Sequence, residues 1–144
     1  MSFEIRSYEG LVGYPFGSAA NVFTDSLGPP IFQRTNGDGE VEYHYDGFII
    51  RFDAQTAGFR ECTFARQLRI RLNDDDVEWS TEGLRRLCVE DGSPQQCHGT
   101  ILLLRLGVSL TGVTDDEVSD RSLTAFRRGD WDDFKGELKP YNVG

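Results

Sequence analysis

The sequence predicts an α+β fold: two helices packed on one face of a mostly antiparallel sheet. Three observations lead there. Runs such as Val41–Tyr45, Phe48–Phe52 and Gln67–Leu72 alternate with the period of two that a half-buried strand requires. Phe16–Leu27 and Trp79–Cys88 instead repeat apolar residues at helical spacing. The two halves also echo one another. Each runs from an amphipathic stretch through a Gly/Pro turn (Leu27-Gly28-Pro29-Pro30; Asp91-Gly92-Ser93-Pro94) into a pair of strands. Tyr45-Asp46-Gly47-Phe48 stands where Arg105-Leu106-Gly107-Val108 stands later. The expected architecture is two tandem helix–turn–β-hairpin units sharing one sheet, with residues 1–72 and 73–136 as pseudo-repeats and 137–144 as a tail. No low-complexity linker divides the halves, so residues 1–144 read as a single domain.

In chain order, Phe3–Tyr8 opens as a strand or irregular lead-in. In the first helix Phe16, Ala20, Phe23 and Leu27 share a face, Ser18 is placed to cap the N-terminus, and Gly28-Pro29 stops it. Val41, Tyr43 and Tyr45 fall on one side of the next strand, with His44 opposite them; Asp46-Gly47 turns the chain into Phe48–Phe52. Phe59–Phe64 and Gln67–Leu72 follow as strands, the second with Leu68, Ile70 and Leu72 inward and Arg69 and Arg71 outward. Ser80 caps the second helix and Trp79 is placed to staple against Leu84. Leu84, Leu87 and Cys88 form its apolar stripe. Thr100–Arg105 and Val108–Gly112 make the second hairpin; Arg121–Phe126 fits a strand or a helix, and the analogy with the first half favours a strand.

Composition narrows the function classes. The 144 residues include ten Phe, five Tyr and two Trp, ample material for a core. The chain opens Met-Ser-Phe-Glu-Ile-Arg, with no basic n-region or apolar h-region, and no segment approaches the length of a membrane span. A soluble, cytoplasmic protein is expected. The formal net charge is −9, and it is uneven: nine acids and seven bases in residues 1–72, fifteen acids and eight bases in 73–144. Such a field repels nucleic acid and anionic membranes and attracts basic protein surfaces.

Little in the chain points to catalysis. Three cysteines, Cys62, Cys88 and Cys97, are too few and too irregular for a disulfide framework or a zinc site. Neighbouring residues on a strand point to opposite faces, so Cys97-His98 makes a poor local dyad. Asn36-Gly37-Asp38-Gly39 lacks the Gly-Lys-Ser/Thr of a phosphate loop, and Asp74-Asp75-Asp76 lacks the alternating ligands of a calcium loop. No cofactor and no metal are expected.

What remains are acidic clusters beside aromatics: Asp74, Asp75, Asp76 and Glu78 at the junction of the halves; Asp115, Asp116 and Glu117 after the second hairpin; and Asp130–Phe134 around Trp131. Acids around a large aromatic match the anchor-and-rim layout of a protein interface. Asp74, Asp75, Asp76, Glu78, Asp115, Asp116, Glu117 and Trp131 are therefore the candidate partner-binding residues.

The run Leu27-Gly28-Pro29-Pro30, followed by the tyrosine-rich hairpin Val41–Asp53, resembles small bacterial immunity proteins encoded beside polymorphic or type VI secreted toxins. The tandem layout also resembles β-lactamase inhibitory proteins, which grip an enzyme across a concave sheet. The resemblance implies a non-enzymatic cytoplasmic antitoxin that occludes a cognate toxin, one with a basic surface in keeping with the charge. It assigns no functional residue. Alternatives are an adaptor or chaperone for a secreted effector, or a small enzyme using Cys97 or His98.

Overall fold

Strands form wherever the period-two alternation is strong, and what the alternation leaves open is which strands become neighbours. The computed structural model describes residues 2–113 and 120–143. Before the first helix come β1 (Ser2–Arg6), β2 (Gly10–Leu11) and β3 (Tyr14–Pro15). Helix α1 (Ala20–Leu27) is followed by β4 (Phe32–Thr35), β5 (Val41–Tyr45), β6 (Phe48–Phe52) and β7 (Phe59–Ala65). Two short strands, β8 (Arg69–Leu72) and β9 (Asp75–Asp76), precede helix α2 (Thr81–Asp91). Then come β10 (Gln95–Cys97), β11 (Thr100–Leu103), β12 (Val108–Thr111), β13 (Ser122–Phe126), a 3-10 segment Asp132–Glu137 and β14 (Lys139–Pro140).

Among the described residues these strands make two sheets, not one. The larger has nine strands in the order β14-β10-β11-β12-β13-β7-β6-β5-β4; the smaller has five, β3-β2-β1-β8-β9. This corrects the expected pair of helix–turn–hairpin units on a shared sheet. Gln67–Leu72 alternates as expected, with Ile70 and Leu72 buried and Arg69 and Arg71 exposed. It nevertheless leaves the main sheet, because β8 pairs in parallel with β1, Ser2 opposite Arg69 through Ile5 opposite Leu72. Such a long-range pairing has no local sequence signal. Each helix is followed by four consecutive antiparallel strands rather than a lone hairpin, and the two runs meet where β7 pairs with β13.

Register sorts the nine-stranded sheet into two unlike faces. On one, Tyr43, Ile50, Cys62, Ala125, Val108 and Leu103 follow one another from strand to strand. This face belongs to the main core. α1 reaches it through Phe23, which packs edge-on against Phe52 and Phe59, with ring centroids 5.8 and 4.9 Å away. From the small sheet, Phe3 meets Phe48 at 4.9 Å and Phe64 at 5.3 Å. Leu84, Leu87 and Cys88 of α2 join the same cluster.

Both helix ends follow their local chemistry, with one correction. Ser80 caps α2 by accepting the Gly83 N–H at 3.0 Å. Ser18 does not cap α1. Helix α1 starts after Ala19, with no side-chain cap, and the Ser18 hydroxyl donates to the Pro15 carbonyl. At the other end of α2, buried Asp91 accepts the N–H groups of Arg105 and Leu106 at 2.9 and 3.1 Å, clamping the β11–β12 turn. Buried Arg121 donates to the Trp79 carbonyl and the Thr81 hydroxyl, both at 2.8 Å, tying β13 to the start of α2.

Candidate functional site

The second face of the nine-stranded sheet carries a connected network of charged side chains. The alternation that sends Val41, Tyr43 and Tyr45 to the core sends Glu42 and His44 to this other side. Register then continues two rows across it: Arg34, Glu42, Arg51, Glu61 in one, and Phe32, His44, Ile49, Thr63, Thr124 in the next. One end of the face is covered, where Trp131 and Leu138 pack with Tyr8 and Leu104 over Cys97, Leu102 and Phe126.

The β4–β5 loop positions the row's central carboxylate. Gly37, Asp38 and Gly39 form a three-residue connection closed by Asn36: the Gly39 N–H reaches the Asn36 carbonyl at 3.1 Å, and the Asn36 N–H reaches the Glu40 carbonyl at 2.9 Å. Gly39 has φ +81°, the left-handed geometry such a loop needs at that position. Asn36 then donates from its amide to Glu40 and Glu42 at 2.9 and 3.3 Å.

Glu42 is buried, only 2 % exposed. One of its oxygens takes Arg34 Nε at 2.6 Å and lies 2.9 Å from His44 Nε2; the other takes Arg51 Nε at 2.8 Å. Burial by itself would raise its pKa, but the hydrogen bonds from Arg51, Arg34, His44 and Asn36 outweigh that and hold it at about 2. Glu61, next along the row, is shifted the other way. Burial pushes its carboxyl up, opposed by Arg51, whose Nη1 lies 3.4 Å away and also donates to the Thr63 hydroxyl at 2.9 Å. Two carboxylates flanking one guanidinium therefore titrate apart.

The lattice extends beyond this row. Arg60 bonds Glu40 at 2.5 Å and approaches Asp130 at 3.5 Å; Arg127 links Asp130 at 3.2 Å to Asp53 at 3.0 Å. Backbone N–H groups of Thr56 and Gln55, then Arg127, hold Asp53 at about 2. Beside the lattice, a hollow of about 280 Å³ opens among His44, Ile49, Thr63 and Ser122. The His44 ring stacks on Phe32, centroids 4.3 Å apart. What these groups offer is a fixed pattern of charge and hydroxyls, because each charged side chain is held by its neighbours.

The residues singled out from the sequence are dispersed by the fold. Asp74 forms a two-pronged pair with Arg6 at 2.9 and 3.0 Å. Asp75 and Asp76 are exposed on edge strand β9, Asp76 lying 3.8 Å from Arg71. Glu78 pairs with Arg86. Asp75, Asp76, Glu78, Arg86 and Glu90 surround a cavity of about 310 Å³ beside α2, so this loop does make one acidic locus. Trp131 belongs elsewhere, packed at 6.1 Å on Phe126 and 5.2 Å on Phe134 in the smaller core cluster. Asp115, Asp116 and Glu117 lie outside the described residues.

The structure does not bring Cys97 and His98 together as a working pair. Cys97 is buried in the smaller cluster, while His98 is exposed in a left-handed turn conformation (φ +50°), 3.1 Å from Glu137. Cys62 and Cys88 are buried as well, and burial raises both thiols, Cys62 well above its ordinary range. Among the described residues no group of three or more His, Cys, Asp or Glu is arranged to hold a metal ion. No helix there is long and apolar enough to cross a membrane.

Sequence reasoning missed Glu42, Arg34, Arg51 and Glu61. The signal for the first two strands was present, since the polar positions of an alternating strand share a face. Which strand would supply the next charge depended on pairing order. No protein-family model, curated protein or solved structure matches this chain.

Proposed function

We propose that this protein is a non-enzymatic immunity protein that binds a cognate bacterial toxin in the cytoplasm and blocks its active site or its substrate's access. The observation that carries the reading is the polar face of the nine-stranded sheet. Its Arg34–Glu42–Arg51–Glu61 row is held rigid by its own ion pairs. A surface whose side chains are already ordered loses little entropy on association, which favours tight one-partner recognition. The acidic locus of Asp75, Asp76 and Glu78 supplies a second element: with the net charge of −9 it steers a basic partner during encounter. Asp74, Asp115, Asp116, Glu117 and Trp131 remain part of the proposed contact surface. The buried cysteines favour binding over chemistry.

The test is toxicity rescue. The product of the neighbouring gene is expressed in a sensitive host with and without this protein, and affinity is measured on the purified pair. Rescue with nanomolar binding is expected. Ile49→Lys, on the polar face, should abolish both. Charge reversal at Asp75, Asp76 and Glu78 should slow association and flatten its salt dependence. Binding without rescue would replace this reading with an effector chaperone, and absence of both would refute it.

A further inference from the structure

Each sheet has two edges, and among the described residues three of the four edges are protected. β14 is two residues long and contains Pro140; β3 is two residues long and contains Pro15; β9 is two residues long and is a pair of aspartates. Short length, proline and charge are the usual means of stopping a sheet from adding further strands. The fourth edge, β4, is twice as long as the others and has no proline, and its one charge, Arg34, is paired with Glu42 of β5. It runs Phe32-Gln33-Arg34-Thr35, is exposed throughout, and leaves Ile31 and Phe32 72 % and 53 % exposed.

Hydrogen-bond parity shows what this edge offers. The bond from the Asn36 N–H to the Glu40 carbonyl marks an Asn36–Glu40 hydrogen-bonded pair. Such pairs alternate along an antiparallel ladder, so Arg34 and Phe32 turn their backbone groups toward β5. Gln33 and Thr35 turn theirs outward.

We propose that β4 is a dimerisation edge, pairing antiparallel with β4 of a second copy about a two-fold axis at Gln33. The strand is self-complementary in that register. The two Gln33 residues exchange both backbone hydrogen bonds, and Arg34 of each copy lies directly opposite Phe32 of the other, a cation facing an aromatic ring on the same sheet face. Shifting the axis to Arg34 would set two guanidinium groups opposite each other, which disfavours that register. The contact is isologous and closes because each copy spends its one β4 edge on the other, while Pro140 at the far edge opposes further strand addition there. The dimer places the two polar faces side by side in one continuous sheet. This inference stands apart from the toxin-binding reading, because it concerns the free protein.

Sedimentation velocity on the purified protein over a concentration series tests it. A dimer that dissociates on dilution is expected. Gln33→Pro removes the central outward N–H without touching the ladder to β5, and should weaken association by about tenfold or more with the circular-dichroism spectrum unchanged. A second measurement reads the register. The natural cysteines are buried, so Gln33→Cys introduces an exposed thiol at the axis. Opposed residues in a hydrogen-bonded pair lie about 5.5 Å apart at Cα, within disulfide reach. Oxidised glutathione should therefore cross-link Gln33→Cys into a covalent dimer faster than it cross-links Arg34→Cys. A protein that stays monomeric at every concentration would overturn the proposal. So would a dimer insensitive to Gln33→Pro, or preferential cross-linking of Arg34→Cys.

Discussion

Glu42→Gln isolates what the buried carboxylate does for the polar face. The substitution keeps the shape and removes the charge, leaving Arg34, Arg51 and His44 around a neutral amide. In the folded chain Glu42 titrates at about 2, against an ordinary 4.5. At 1.36 kcal/mol per pH unit, this difference is about 3 kcal/mol of stability at neutral pH. That agrees in scale with the cost of removing one partner from a buried ion pair. Because the folded pKa is depressed, the contribution is complete above 4.5 and is lost as pH falls through about 2. The protonated wild-type side chain resembles the glutamine variant, so the two proteins should converge in acid. Urea unfolding at pH 7, 5, 4 and 3 checks this. The variant should be about 3 kcal/mol less stable at pH 7 and 5, with the gap narrowing below 4.5. A loss under about 1 kcal/mol at pH 7, or a gap that does not change with pH, would refute the argument.

Other outcomes follow from the same geometry. Glu61→Gln should behave oppositely: its carboxyl is pushed up by burial, so the folded chain favours the neutral form. That contribution is full below 4.5 and lost as pH rises through the folded value, so at pH 7 the variant should match or exceed the wild type in urea. Gly83→Ala would ordinarily gain about 1 kcal/mol in a helix. Here a Cβ would stand 2.3 Å from the Glu78 carbonyl oxygen, so a lower melting temperature is expected, and a higher one would contradict the close approach. In the native protein Cys62, Cys88 and Cys97, at most 5 % exposed, should resist a thiol reagent and react only on unfolding. Rapid labelling of Cys97 in the folded state would bring the enzyme reading back.

Much of the local structure was legible because local chemistry decides it. Ser80 capped α2 and Gly28 ended α1 through contacts within a few residues. Val41–Tyr45 and Phe48–Phe52 took the expected faces because the pleat alternates side chains whatever the neighbours. Ser18 failed as a cap because the helix begins one residue later than its spacing suggested, which puts Ala19 at the N-cap position.

The sequence by itself determined the α+β class, the inward and outward faces of the main strands, and the acidic balance. Each follows from spacing along the chain or from simple counts. Tertiary structure alone decided that there are two sheets, that β8 lies beside β1, and that Arg34, Glu42, Arg51 and Glu61 form a row across four strands. It also decided that Trp131 closes a small core apart from the acidic locus at α2. Strand pairing order is a competition among long-range contacts. Its free energy depends on which faces are buried together, and period-two patterns that look alike in sequence cannot encode that choice.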